Sequence, residues 1–145
     1  MRKLWSVALL AACAAAAQTV EMTAAERGFQ ESMTAVTLEG HSTFDGRDGV
    51  NEDRYNIEKV EKQANGKWLF HVKVNYQGNE MTVPFPLDVV WAGDTPVITL
   101  TDQALPGRGT YTARVLVYQG SYAGTWSGGD RGGKVFGRVV KREQQ

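Results

Sequence analysis

The chain has 145 residues, 42% of them hydrophobic and 10% aromatic, with 16 Lys+Arg against 16 Asp+Glu and a single Cys. That length holds one compact core without cross-links, and the composition excludes a disordered, collagen-like or coiled-coil chain. The even charge excludes a dedicated nucleic-acid binder, which carries a marked basic excess.

The N-terminus has the order of an export signal. Arg2 and Lys3 form a positive start, and Leu4–Ala17 is an apolar run of 14 residues ending in small side chains. A run of that length is too short to span a bilayer and fits the apolar region of a signal peptide. Two processing sites compete. Ala15-Ala16-Ala17 before Gln18 suits cleavage of a soluble exported product, whereas Leu10-Ala11-Ala12-Cys13 is similar to the lipobox of bacterial lipoproteins, in which the Cys carries the lipid. The expected location is thus periplasmic or extracellular, with Cys13 as the candidate lipidation site. Either way residues 18–145 form a single β domain without a disulfide.

Thr23-Ala24-Ala25-Glu26 is a capping-box pattern, and Ala25, Phe29 and Met33 fall on one stripe, which predicts a short helix over Ala24–Ser32 packed through Phe29. From Thr34 the period becomes two. Val36, Leu38 and Phe44 share one face with the small Gly40 and Ser42, while Thr37, Glu39, His41 and Thr43 share the other. A second strand begins at Tyr55 and Ile57, and Trp68–Tyr76 is a third with clean alternation. Met81–Leu87 is a fourth, with Pro84 and Pro86 on its polar parity; because proline cannot donate to a ladder, this strand is expected at an edge or seam. Val89–Trp91, Val97–Thr101, Tyr111–Tyr118, Tyr122–Trp126 and Val135–Val140 supply up to five more.

Asn65-Gly66, Gln77-Gly78-Asn79 and Gln119-Gly120 punctuate these runs with residues that tolerate positive φ, as hairpins require. Gln103–Gly109 reads as the long loop of the second half. Eight or nine sequential antiparallel strands after a short helix predict an all-β fold, an up-and-down barrel; the alternative is a two-sheet β-sandwich.

Chemistry is sparse. His41 and His71 lie on the polar parity of their strands, and Glu39 beside His41 reads as a solvated pair. Asp45, Asp48, Asn51, Glu52 and Asp53 crowd one loop but lack the spacing of a calcium-binding EF-hand. Gly128, Gly133 and Lys134 match the spacing of a phosphate-binding loop, yet Val135 replaces its hydroxyl residue and a strand pattern follows, not a helix. Ser127–Gly133 reads instead as a hairpin tip. The basic set Arg131, Lys134, Arg138, Lys141 and Arg142 reads as a charged edge or outer face. No catalytic residue, metal ligand or cofactor is expected. The aromatic residues Trp68, Phe70, Tyr76, Phe85, Trp91, Tyr111, Tyr122 and Trp126 mostly share the apolar parity and are expected to converge inside, as candidates for ligand binding or for simple core filling.

Tyr122-Ala123-Gly124-Thr125-Trp126 with Gly132-Gly133-Lys134-Val135-Phe136-Gly137 resembles the closing hairpin of lipocalin-like small barrels. Trp91–Ile98 and Gly109–Arg114 resemble stretches of a group of exported bacterial β proteins, a likeness that implies no activity. The first strand, Thr37-Leu38-Glu39-Gly40-His41, lacks the Gly-x-Trp of true lipocalins, and neither His points inward as in their haem-binding relatives. The expected function is non-catalytic: an exported barrel binding a small apolar or amphipathic ligand. The alternative is an envelope structural or protein-interaction module with a filled core, presenting Asp45–Asp53 and Ser127–Gly133 to a partner protein. Contact with the membrane is expected only through a lipid anchor at Cys13.

Overall fold

A computed structural model describes residues 19–143. The signal segment, both of its processing sites and Cys13 lie outside these residues. One helix, α1 (Ala24–Ser32), precedes eight strands: β1 (Val36–Ser42), β2 (Asn51–Lys62), β3 (Trp68–Tyr76), β4 (Asn79–Ala92), β5 (Thr95–Leu105), β6 (Gly109–Tyr118), β7 (Ser121–Gly128) and β8 (Arg131–Lys141). Each strand pairs antiparallel with the next, and β1 pairs with β8, from Val36 opposite Lys141 to Ser42 opposite Val135. The result is a closed up-and-down barrel. Closure through β1 and β8 excludes the sandwich and leaves neither terminal strand as a sheet edge.

The helix forms where its sequence expects. The Thr23 hydroxyl accepts the Glu26 N–H, and the Glu26 carboxylate accepts the Thr23 N–H, which satisfies two donors left free at a helix start. Its apolar stripe drives Phe29 into one end of the barrel, edge-on to Trp68 at 5.2 Å, Phe70 at 6.2 Å and Trp91 at 6.0 Å. Met33 and Val36 behind it are fully buried. This end is closed.

Several boundaries differ from the sequence reading. Met81–Leu87 and Val89–Trp91 are one strand, β4, because no turn residue interrupts the parity that carries Leu87, Val89 and Trp91 inward; the count is therefore eight. β2 begins at Asn51, so Asn51, Glu52 and Asp53 belong to a strand and not to an acidic loop. The long loop shrinks to Pro106-Gly107-Arg108, since β5 continues past a bulge between Leu100 and Gln103. The tip between β7 and β8 shrinks to Gly129-Asp130, and the segment resembling a phosphate loop is hairpin strand. The basic residues of β8 sit on a paired strand, where Arg138 bonds Glu39 at 3.0 Å and Lys134 bonds Asp45 at 3.1 Å.

The prolines do mark a seam. Residues 79–87 of β4 pair with β3, but only Asp88–Ala92 pair with β5, in five successive pairs. Pro84 and Pro86 lie in the half of β4 that is laddered on one side only, where a missing N–H costs no bond. The turns follow their chemistry as well. Gln77-Gly78 and Gln119-Gly120 both place two residues at positive φ, 51° and 80° in the first and 48° and 74° in the second, the geometry of a two-residue hairpin turn.

Candidate functional site

Register fixes which side chains enter the barrel. Opposite pairs such as Phe70 with Phe85, Val72 with Val83, Val89 with Ile98, Val115 with Gly124 and Trp126 with Gly133 all face inward. Their exposure differs around the barrel as well as along it: Ser42 and Val135, which face inward at the far end of β1 and β8, are buried, whereas the far ends of β2, β3 and β4 are not. Toward α1, Trp68, Phe70, Phe85, Leu87, Ile98 and Tyr122 are buried. In the middle, Val72, Val74, Val83, Leu100 and Val115 are half-buried. At the far end Tyr55 is 40%, Tyr76 38% and Met81 46% exposed. An inward side chain of a closed barrel meets water only through the lumen or a gap in the wall. Water therefore reaches the valine level on the β2–β5 side of the barrel, above a buried layer of Phe70, Phe85 and Ile98. The unpaired stretch between β4 and β5 lies on that side, with Met81 and Val83 on one flank and Gln103 and Leu105 on the other.

The eight aromatic candidates all face inward but form no single cluster. Trp68, Phe70 and Trp91 gather on Phe29 at the closed end. Trp126 belongs to the far end, with Phe44 at 5.2 Å and Tyr111 at 6.1 Å, and its indole N–H donates to the Thr43 carbonyl at 3.2 Å. Tyr76 leans over the end of β4 against Gly107. Phe85 forms part of the buried layer. Tyr122 lies flat across two glycines: a Cβ at Gly40 or Gly137 would stand 2.5 or 2.8 Å from its hydroxyl. A side chain at either position would displace the ring.

A polar group that sequence reasoning missed sits in the same row. Asp53 pairs with Gly40 and faces the lumen with Tyr55, whose hydroxyl donates to Asp53 Oδ2 at 3.0 Å. The Tyr122 hydroxyl is buried and has no hydrogen-bond partner among the described residues. Burial, then the nearby Asp53 charge, pushes the Tyr122 phenol up to about 12. Tyr55 is raised further, by burial first and then by Asp53. The signal that could have revealed this pole is the alternation Asn51, Asp53, Tyr55, Ile57, which continues the inward parity of β2 with polar residues.

The remaining candidates face outward. His41 stacks on Phe136 at 5.8 Å, and His71 Nε2 lies 3.1 Å from Glu61. Glu39 engages Arg54 and Arg138, not His41, and these bonds, Arg54's first, hold its carboxyl below the usual range. Asp45, Asp48, Asn51, Glu52 and Asp53 do not converge: no group of three His, Cys, Asp or Glu among the described residues is placed to hold a metal. A separate groove of about 420 Å³ runs beside α1, lined by Phe29, Met33, Trp91, Pro96, Val117 and Val139 among others. It leaves part of the closed end accessible.

The fold defines the class: an all-β, eight-stranded antiparallel up-and-down barrel, closed on itself and preceded by one short helix. No protein-family model, curated protein or solved structure matches the chain.

Proposed function

We propose that this protein is a non-catalytic carrier that holds a small apolar or amphipathic molecule inside the barrel. The observation that carries this reading is the wetting of inward valines at mid-barrel. Val72 and Val83 are half-buried although both point into a closed barrel. A row of apolar side chains that water reaches but the core does not fill is favourable to cover with a ligand, at about 25 cal/mol per Å² of apolar surface. Up-and-down order with eight strands supports a lipocalin-like assignment, since this is the barrel size that encloses one small ligand. The same valines weigh against the filled core required by a pure interaction module.

The signal-like segment supports export to the periplasm or the cell exterior, either free after cleavage before Gln18 or anchored through Cys13. Nothing in the reading needs a cofactor, a nucleic acid or a catalytic residue.

Calorimetric titration with decanol tests the binding role. Saturable one-site binding with a negative heat-capacity change is expected, and Val83→Phe, which fills the lumen while leaving the outer faces untouched, abolishes it. Absence of binding by the folded wild-type protein would overturn the proposal.

A further inference from the structure

The lumen is not uniformly apolar, and its polar end selects among head groups. Asp53 and Tyr55 lie on the inward face of β2, within the exposed upper part of the lumen, and their hydrogen bond leaves Asp53 Oδ1 free of side-chain donors among the described residues. No Lys or Arg nitrogen of the described residues stands within 4.0 Å of this carboxylate. Below Asp53 lies the unbonded Tyr122 hydroxyl, held over the Gly40 and Gly137 backbone.

A carboxylate accepts hydrogen bonds and donates none, and the faces of tyrosine rings attract cations. A head group that donates and carries positive charge gains from both. One that is itself a carboxylate meets like charge in a confined space.

From these placements we infer that the barrel interior binds amphipathic amines in preference to fatty acids, with the ammonium on Asp53 beside Tyr55 and the alkyl chain on Val72, Val83 and Phe85. This rests on the carrier reading above, because it requires that the lumen admit an alkyl chain.

Decylamine, decanol and decanoate, alike in chain and different in head, separate the two levels when each is titrated calorimetrically into the wild-type protein and Asp53→Asn. Asp53→Asn keeps the shape and the acceptor for Tyr55. Decylamine is expected to bind at least about tenfold more tightly than decanoate to wild type, the size of one charge-assisted hydrogen bond. Asp53→Asn should bring the amine to the level of the alcohol while leaving decanol unchanged. Equal binding of amine and acid by wild type, or an amine preference that survives Asp53→Asn, would overturn the head-group assignment and leave the carrier role standing. Failure of all three to bind would overturn the carrier role itself.

Discussion

Glycine decides the packing of the barrel at the row that joins β7, β8, β1 and β2. Gly40 and Gly137 face each other across the closing pair, and a Cβ on either would overlap backbone of the opposite strand as well as the Tyr122 hydroxyl. Gly40→Ala is therefore expected to lower the free energy of unfolding by about 1–3 kcal/mol, the usual cost of overpacking, as read from urea denaturation. An unchanged midpoint would show that Tyr122 does not lie across this row. At this scale sequence was informative where polarity and parity agreed. The eight aromatics could be assigned to the interior from alternation alone. Asp53 could not, because a run of Asp, Asn and Gly from Asp45 to Asp53 carries the chemistry of a turn, and only pairing with β1 reveals where the strand begins.

The elements were legible for local reasons, and their lengths were not. The helix needs only its capping box and one apolar stripe, and the Gln-Gly turns need only residues that accept positive φ. Where β4 continues through Asp88, or β5 continues past its bulge at Thr101 and Asp102, the outcome depends on neighbours distant in sequence. The attachment of α1 is also a tertiary matter. Glu26 completes the capping box and binds Lys62 of β2 at 2.7 Å, with both side chains largely buried. The hydrogen bond from Lys62 is the main reason that the Glu26 carboxyl lies below its ordinary value of 4.5. A carboxyl lowered in the folded state contributes stability that is complete above its unfolded pKa and is lost as pH falls through the folded one. Glu26→Gln is expected to cost roughly 1 kcal/mol at neutral pH and to lose less than wild type on acidification below pH 4.5, measured as urea midpoints across pH. Parallel pH profiles for the two proteins would show that this carboxylate does not secure the helix.

At the scale of the molecule, closure joins the half-buried strands into one continuous wall around a single interior. The seam at Pro84 and Pro86 was legible because proline has no N–H to give. Closure itself was expected from the run of sequential hairpins, but the register in which β1 meets β8 was not legible, since it joins residues about a hundred positions apart with no local signal. The outer wall also carries an apolar belt over five neighbouring strands, Val90, Val97, Leu116, Ala123 and Phe136, in one cross-strand row. Its members are partly exposed, so apolar character alone does not distinguish the two faces of this wall; register does. The proposed carrier role is tested most directly by the reactivity of a single cysteine at position 72, made as Val72→Cys with Cys13→Ser, toward a small water-borne thiol reagent. In the folded protein the thiol should react readily, and saturating decanol should suppress the reaction. A thiol that stays inert without decanol, or reacts equally with it, would contradict an open lumen that holds a ligand.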